Sequence, residues 1–319
     1  MPRVSVIVPA LNAAATLGPT LEALAAQDLD DQYEVIVVDD GSTDETARIA
    51  TQAGEGIALL QQQRLGPGPA RNRGVDNSRG EVLAFTDADC VPVSSWLREG
   101  LSALAEADLV QGMVAPHPSS HPGPFDRTVW VSGEAGLYET ANLFVRRDLF
   151  ERIGGFEDWL GARIGKPLAE DVWLGWRARR AGARTAFSER ALVHHAVFPR
   201  NARGYVSERL RLVYFPDMVA KIPELRGSFL YRHWFLNRRS AAFDAAVLGV
   251  AGAVAARRAS PLLIPLSLLA ALPYLRLAGR TAVGWGRLAP KVAAADIAAD
   301  AIGLAALVWG SARRRTPVL

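Results

Sequence analysis

Two pairs of carboxylates stand where apolar runs stop. Val82-Leu83-Ala84-Phe85-Thr86 leads into Asp87-Ala88-Asp89-Cys90, and Val35-Ile36-Val37-Val38 leads into Asp39-Asp40-Gly41. Acids spaced i, i+2 at a strand end offer hard oxygen donors. Such donors suit a divalent cation, Mg²⁺ or Mn²⁺, which in turn bridges phosphate oxygens. An Asp-x-Asp alone is more often solvated surface, so these acids carry weight only if the fold brings them together.

The elements around them supply that condition. Val4-Ser5-Val6-Ile7-Val8 is a strand stopped by Pro9, with Ala10 and Leu11 following and Asn12 placed to cap the next helix. Ser42 or Thr43 can cap a second helix, with Asp44 and Glu45 in its first turn. The order strand, helix, strand, helix, strand predicts a parallel sheet with helices on its faces. Ligands bind at the carboxyl edge of such a sheet, where three polar strand ends would meet. Glu170-Asp171 opens a predicted helix from Val172 to Ala181 that stops at Gly182. Its acids first and Arg177, Arg179 and Arg180 last complement the helix dipole. A strand is predicted from Arg190 to Val197, and on it His194 and His195 point to opposite faces, so only one can serve a site.

The chain resembles an inverting family 2 glycosyltransferase of the GT-A fold. The resemblance is carried, in order, by Val4 to Asn12, Val37-Val38-Asp39-Asp40-Gly41-Ser42-Thr43-Asp44, Gly68-Pro69-Ala70-Arg71-Asn72-Arg73-Gly74 and Phe85-Thr86-Asp87-Ala88-Asp89. It continues through Thr140-Ala141-Asn142-Leu143-Phe144-Val145-Arg146-Arg147, Gly154-Gly155-Phe156-Glu157 and Ala169-Glu170-Asp171-Val172-Trp173-Leu174-Gly175-Trp176-Arg177. It spans roughly residues 2 to 200, and seven pieces in one order make it specific.

The resemblance implies an α/β, mostly parallel sheet that binds a nucleotide-diphospho-sugar, with a divalent metal (Mn²⁺ or Mg²⁺) as cofactor. It makes Asp89 the direct metal ligand, with Asp87 on the donor's ribose or a metal-bound water, and His195 a further ligand. Asp39 or Asp40 reads the base, the backbone at Pro9 and Ala10 lines it, and Arg71 lies near the diphosphate, where its planar fork suits phosphate. Asp171 becomes the general base that takes the acceptor's proton; one base and one displacement invert the anomeric centre. Asn142, Glu170 and Trp173 fall where acceptors bind, with Trp159 and Trp176 as further aromatic candidates. The segment Gly66 to Gly74 lacks the spacing of a dinucleotide fingerprint after a strand, which disfavours a nicotinamide oxidoreductase. The Gln-x-x-Arg-Trp motif of processive members is absent, which favours single additions.

The chain has 319 residues and a net charge of +3, enough for a catalytic domain and an appendage. The division predicted is 1–225, with a nucleotide half to 110 and an acceptor half to 225, and an apolar helical region over 226–319. The single cysteine excludes an internal disulfide and fits a reducing cytosol. The N-terminal apolar run is too short before Pro9 for a secretion signal. Ala241–Ala256, Ala259–Leu275 and Val292–Trp309 are apolar stretches near the lower limit of a membrane span. Clustered arginines flank them, among them Arg257, Arg258 and Arg313 to Arg315, which suits an anionic membrane surface. No nucleic-acid-binding pattern is present. The expected place of work is the cytosolic face of the cell membrane, on a lipid-linked or glycan acceptor. The alternatives are a soluble cytoplasmic enzyme acting on small molecules and a non-catalytic glycosyltransferase-like assembly protein.

Overall fold

The computed structural model describes residues 2–54, 56–160, 168–259 and 264–319. The chain forms two compact units. One comprises Met1–His121 and Thr128–Val197, the other Pro122–Arg127 and Phe198–Leu319. Composition changes at about residue 226, yet the second unit already begins at Phe198. Residues 198–225 mix charge with side chains that pack among apolar helices, so composition alone does not register them.

The first unit is built on an eight-stranded sheet in the order β3-β2-β1-β4-β7-β6-β8-β5. Its elements, in chain order, are β1 (Val4–Ala10), α1 (Leu17–Ala25), β2 (Tyr33–Asp39), α2 (Thr46–Gln52), β3 (Ile57–Gln61), α3 (Pro67–Asp76), β4 (Val82–Thr86) and β5 (Cys90–Pro92). There follow α4 (Trp96–Leu104), β6 (Leu109–Pro116), β7 (Asn142–Arg146), α5 (Arg147–Arg152), α6 (Glu170–Arg180) and β8 (Thr185–His195). The strands β1 to β4 run parallel to one another, as the alternation predicts. The other half is mixed. β7 runs antiparallel between β4 and β6, β6 pairs parallel with β8, and β5 closes the edge antiparallel to β8. The sheet is mostly parallel, as expected; β5 follows a tight turn after β4, and β7 is reached from β6 through residues 117–141, which hold no crossover helix.

The strands β1, β2 and β4 are buried on both faces, which explains their unbroken apolar runs. Val4, Val6 and Val8 from β1, Leu17, Leu21 and Leu24 from α1, and Trp96, Leu97 and Leu101 from α4 belong to one core cluster. On the opposite face Gly74 lets α3 lie close: a Cβ there would stand 2.5 Å from Ile7 Cγ2 on β1. Both connections leaving the carboxyl edge are tied together. Asn12 N–H donates to Ser42 Oγ at 2.9 Å, and Thr43 N–H donates to Asn12 Oδ1 at 2.9 Å. Asn12 therefore braces the next loop instead of capping α1. Asp44, not Ser42 or Thr43, serves the start of α2, accepting from Thr46 N–H at 3.0 Å.

The second unit is helical: α7 (Ala202–Glu208), a 3₁₀ turn (Arg209–Tyr214), α8 (Phe215–Lys221), α9 (Leu225–Ser228), α10 (Arg238–Ala259), α11 (Ile264–Leu269), α12 (Leu272–Val283) and α13 (Ala289–Arg314). The first and third apolar stretches form single helices, α10 and α13. Residues 238–257 and 286–314 are long and apolar enough to cross a membrane, with only 33% and 39% of their most apolar windows buried. The middle stretch is broken between α11 and α12, too short on either side to span; its residues 260–263 lie outside the described set. Arg313 donates to Asp217 at 2.7 Å and Arg314 also pairs with it. Two of the three terminal arginines are thus engaged by a buried acid within the unit.

Candidate active site

The β4–β5 turn and the end of β8 form the centre of the site. Thr86 ends β4 fully buried, its hydroxyl donating to Ala141 O at 3.0 Å. Cys90 N–H donates back to Asp87 O at 3.1 Å, so the chain turns tightly and leaves the Asp87 and Asp89 side chains half-buried. The β5–β8 register pairs Cys90 with His195. That pairing sets His195 Nε2 3.6 Å from Asp89 Oδ2. The imidazole is buried, and its Nδ1 lies 2.7 Å from Ala196 O and 3.3 Å from the Thr128 hydroxyl. A carbonyl oxygen only accepts, so Nδ1 carries a proton and Nε2 is the ring nitrogen that faces the carboxylate. The pair brings a carboxylate oxygen and an imidazole nitrogen to one point at the sheet edge. Carboxylate plus a backbone-oriented imidazole is a donor set that fits Mn²⁺ or Mg²⁺, Mn²⁺ better for the nitrogen.

Ligand atoms of Asp89, Cys90 and His195 all lie within 4.8 Å of one another. Burial, with Asp87 and Asp89 adding to it, pushes the Cys90 thiol well up, and hard cations such as Mg²⁺ and Mn²⁺ favour carboxylate and imidazole donors over a soft thiol. His194 faces away, its ring 5.1 Å from that of His117, and burial pushes its basicity down. Of the two histidines, β8 brings His195 alone to the acids.

The two acids after β2 divide the work. Asp40, buried, accepts from Gln62 Nε2 at 2.7 Å and from the N–H groups of Leu65 and Gly66 at 2.8 Å each. Its carboxylate anchors the turn into α3, which opens with Gly66 at φ 100° and Pro67 at its first position. Asp39 accepts from Ser42 N–H at 2.9 Å and lies 3.5 Å from Gln61 Nε2. Ala10 O receives Asp40 N–H at 2.8 Å, and half-buried Pro9 lies beside Val38 in the register.

Arg71 on α3 joins the acids of the turn to those of α6. Its guanidinium donates to Asp87 Oδ1 at 2.7 Å and stands 3.8 Å from Glu170 Oε1, while its flat face lies over Phe156 at 5.6 Å. Phe156 is fixed in turn. Its N–H and carbonyl exchange hydrogen bonds with the Asn72 amide, both at 2.8 Å. Gly154 and Gly155 (φ 81° and 64°) make the turn before it, and a Cβ on Gly155 would meet Asn72 Oδ1 at 2.8 Å. Ala169 precedes α6 in the left-handed region at φ 66°, a strained setting for a residue with a Cβ, and it aims the first turn of that helix. There Asp171 Oδ1 accepts Val172 N–H at 2.8 Å. Burial, Glu170 and Glu139 together hold the Asp171 carboxyl well above the usual carboxylate range.

Two acceptor residues expected from the sequence are placed elsewhere. Asn142 has no exposed surface. It accepts from Trp96 Nε1 at 2.8 Å and donates to Met113 O at 2.8 Å and Ala191 O at 2.7 Å. It is a bracket between β6, β7, β8 and α4, closed to any acceptor. Trp173 is nine-tenths buried with its N–H on Glu157 at 2.8 Å, and Trp176 is buried with its N–H on Gly136 O at 2.9 Å. Glu170, also buried, faces Arg71. Sequence reasoning passed over Thr128, which meets the His195 ring, and Glu139, which acts on Asp171. Thr128 follows a Pro-rich stretch with no periodic signal. Glu139, half-buried and raised by that burial, stands just ahead of the Thr140-Ala141-Asn142 piece, which was its one visible signal.

The eight-stranded mixed sheet flanked by helices is the GT-A fold of nucleotide-sugar glycosyltransferases. The chain belongs to glycosyl transferase family 2, whose profile matches residues 5–156. It is 33% identical over 214 residues to the glycosyltransferase AglE of Haloferax volcanii, covering 62% of this chain and 68% of that protein. A PGL/p-HBAD biosynthesis glycosyltransferase of Mycobacterium tuberculosis is 41% identical over 165 residues, covering 49% of this chain and 63% of that one. Among solved structures, the mannosyltransferase PcManGT of Pyrobaculum calidifontis, in complex with GDP-Man and Mn²⁺, superposes with a TM-score of 0.63 at 25% identity. That match covers 95% of this chain and 87% of the other. The S. aureus TarS 1–349 structure matches in fold, with a TM-score of 0.51 at 20% identity, over 98% of this chain and 92% of the other.

Proposed function

We propose that this glycosyltransferase moves a sugar from a nucleotide-diphospho-sugar to an acceptor hydroxyl with inversion, using a divalent metal. The observation that carries the reading is the Asp89–His195 pair at 3.6 Å, a carboxylate and a backbone-oriented imidazole brought to one point by the β5–β8 register. Asp89 and His195 would hold the metal, with Asp87 beside them. When bound, it supplies the positive charge that stabilises the departing diphosphate. Asp39 keeps acceptor capacity for the base, whereas Asp40 spends its oxygens on the turn. Arg71 orients Asp87 and adds positive charge at the same edge.

Asp171 is the general base. Its raised affinity for a proton matches the task of taking one from a hydroxyl near neutral pH. The similarity to a mannosyltransferase solved with GDP-Man and Mn²⁺ supports a nucleotide-sugar donor and favours Mn²⁺. The exposed apolar side chains of α10, α12 and α13, among them Leu248, Val254, Leu275, Val283 and Trp309, favour work at the cytosolic membrane face on a lipid-linked acceptor. The test is a donor panel including GDP-mannose and UDP-glucose, scored for metal-dependent donor hydrolysis. The reading predicts turnover of one donor with Mn²⁺ and none with excess EDTA; equal turnover in both would overturn it.

A further inference from the structure

The helical unit carries a cleft that the transfer chemistry leaves without a role. Ala202, Val206, Leu210, Ala294, Ala295 and Ile302 line an open trough of about 500 Å³ between α7 and the first half of α13, within the size range of ligand pockets. Its floor is fixed, since Ala202 and Val206 pack on the buried cluster of Phe125, Val292 and Ala295. Leu210 is 58% exposed, so apolar surface faces outward along it. Two cations, Arg203 and Lys291, stand at the same trough, and no acid lines it. Both are exposed, and neither makes an ion pair with a carboxylate among the described residues. Lys291 instead lies 5.9 Å over the Phe125 ring, which keeps its charge beside the trough.

A hydrocarbon surface flanked by two unmatched positive charges fits an amphiphile whose head carries two negative ones. A phosphate monoester carries about −1.5 to −2 at pH 7, and a lipid-linked diphosphate carries one charge on each phosphoryl group. An ordinary diester phospholipid such as phosphatidylglycerol carries one. We propose that this cleft binds a lipid phosphate or diphosphate, its chain on the Val206–Leu210–Ile302 trough and its head on Arg203 and Lys291. The proposal rests on the lipid-linked acceptor reading and assigns that lipid a seat.

The test titrates the full chain, in detergent micelles, with phytanyl phosphate by calorimetry. Wild type should bind it, and Arg203→Gln/Lys291→Gln should weaken binding at least tenfold, while Arg203→Lys/Lys291→Arg retains it. Phytanol, lacking the phosphate, should bind more weakly and be indifferent to the charge variants. Leu210→Asp should weaken both ligands. Metal-dependent donor hydrolysis should be unchanged in the double Gln variant, which shows that the fold and the catalytic edge are intact. Equal affinity of wild type and double Gln variant, or displacement of phytanyl phosphate by phosphatidylglycerol at equal mole fraction, would overturn the proposal. Binding as predicted in a protein that hydrolyses no donor would uphold the cleft and sink the functional reading instead.

Discussion

Arg71 grips Asp87 at 2.7 Å from a position where its own side chain is 5% exposed. The pair couples the β4–β5 turn, which carries Asp87 and Asp89, to α6, because the same guanidinium stands 3.8 Å from Glu170. Arg71→Met would leave both acids without that partner. The loss of a charge-assisted hydrogen bond predicts a destabilisation of about 1.5–3 kcal/mol, read from urea unfolding. Arg71 also draws the Asp171 carboxyl down, so its removal should move the acid limb of the kcat/KM profile to higher pH.

Asp171→Asn separates activity from stability. Without the base, kcat should fall by about 10²–10⁴-fold. The folded carboxyl sits well above its unfolded value of about 3.9. Between those two values the folded state keeps a proton that the unfolded state has lost, so stability falls as pH rises through that window. The Asn variant lacks that penalty, and its Tm should exceed wild type at pH 8 and converge with it below about pH 4. Glu170→Gln removes a negative neighbour and should shift the acid limb to lower pH.

His195→Ala should weaken Mn²⁺ binding, measured calorimetrically with nucleoside diphosphate present, on the order of 10–100-fold. Cys90→Ala should leave it within about twofold, because a soft thiol is a poor donor to Mn²⁺ beside carboxylate and imidazole. A loss with Cys90→Ala as large as with His195→Ala would reassign the ligands.

Asn142→Leu tests whether the residue is a bracket or an acceptor contact. Truncating its amide strands the Trp96 N–H and the carbonyls of Met113 and Ala191 in the core. At about 1–3 kcal/mol per unsatisfied group, the variant should be destabilised by at least about 3 kcal/mol. Any residual folded enzyme should show an unchanged acceptor KM.

Asp39 and Asp40 should respond differently to the same change. Asp40→Asn cannot accept from Gln62, Leu65 and Gly66 as a full carboxylate does, and it should lower Tm while sparing nucleotide affinity per folded molecule. Asp39→Asn should weaken nucleoside diphosphate binding with little change in Tm. The reverse pattern in thermal melts and titrations would exchange their roles.

The sequence by itself determined the strands β1, β2 and β4, because strands buried on both faces must be apolar throughout and their ends become legible where acids follow. It also determined α6 and the acids that open it, through dipole complementarity and the stop at Gly182. The family order of its motifs pointed to the site residues one by one. Which neighbours those residues keep was decided only by tertiary structure. Asn142 reads like a surface polar residue until β6, β8 and α4 converge on its amide. Two adjacent histidines are equivalent in the chain until the β5–β8 register turns His195 toward Asp89 and His194 toward His117. Asp39 and Asp40 look alike until the turn into α3 folds back over one of them. The physical reason is common to all three cases. Local pattern records whether a side chain is buried and how it repeats along an element, whereas hydrogen-bond partners come from strands and loops far along the chain. Only their packing fixes which polar atom is consumed and which is left to do chemistry.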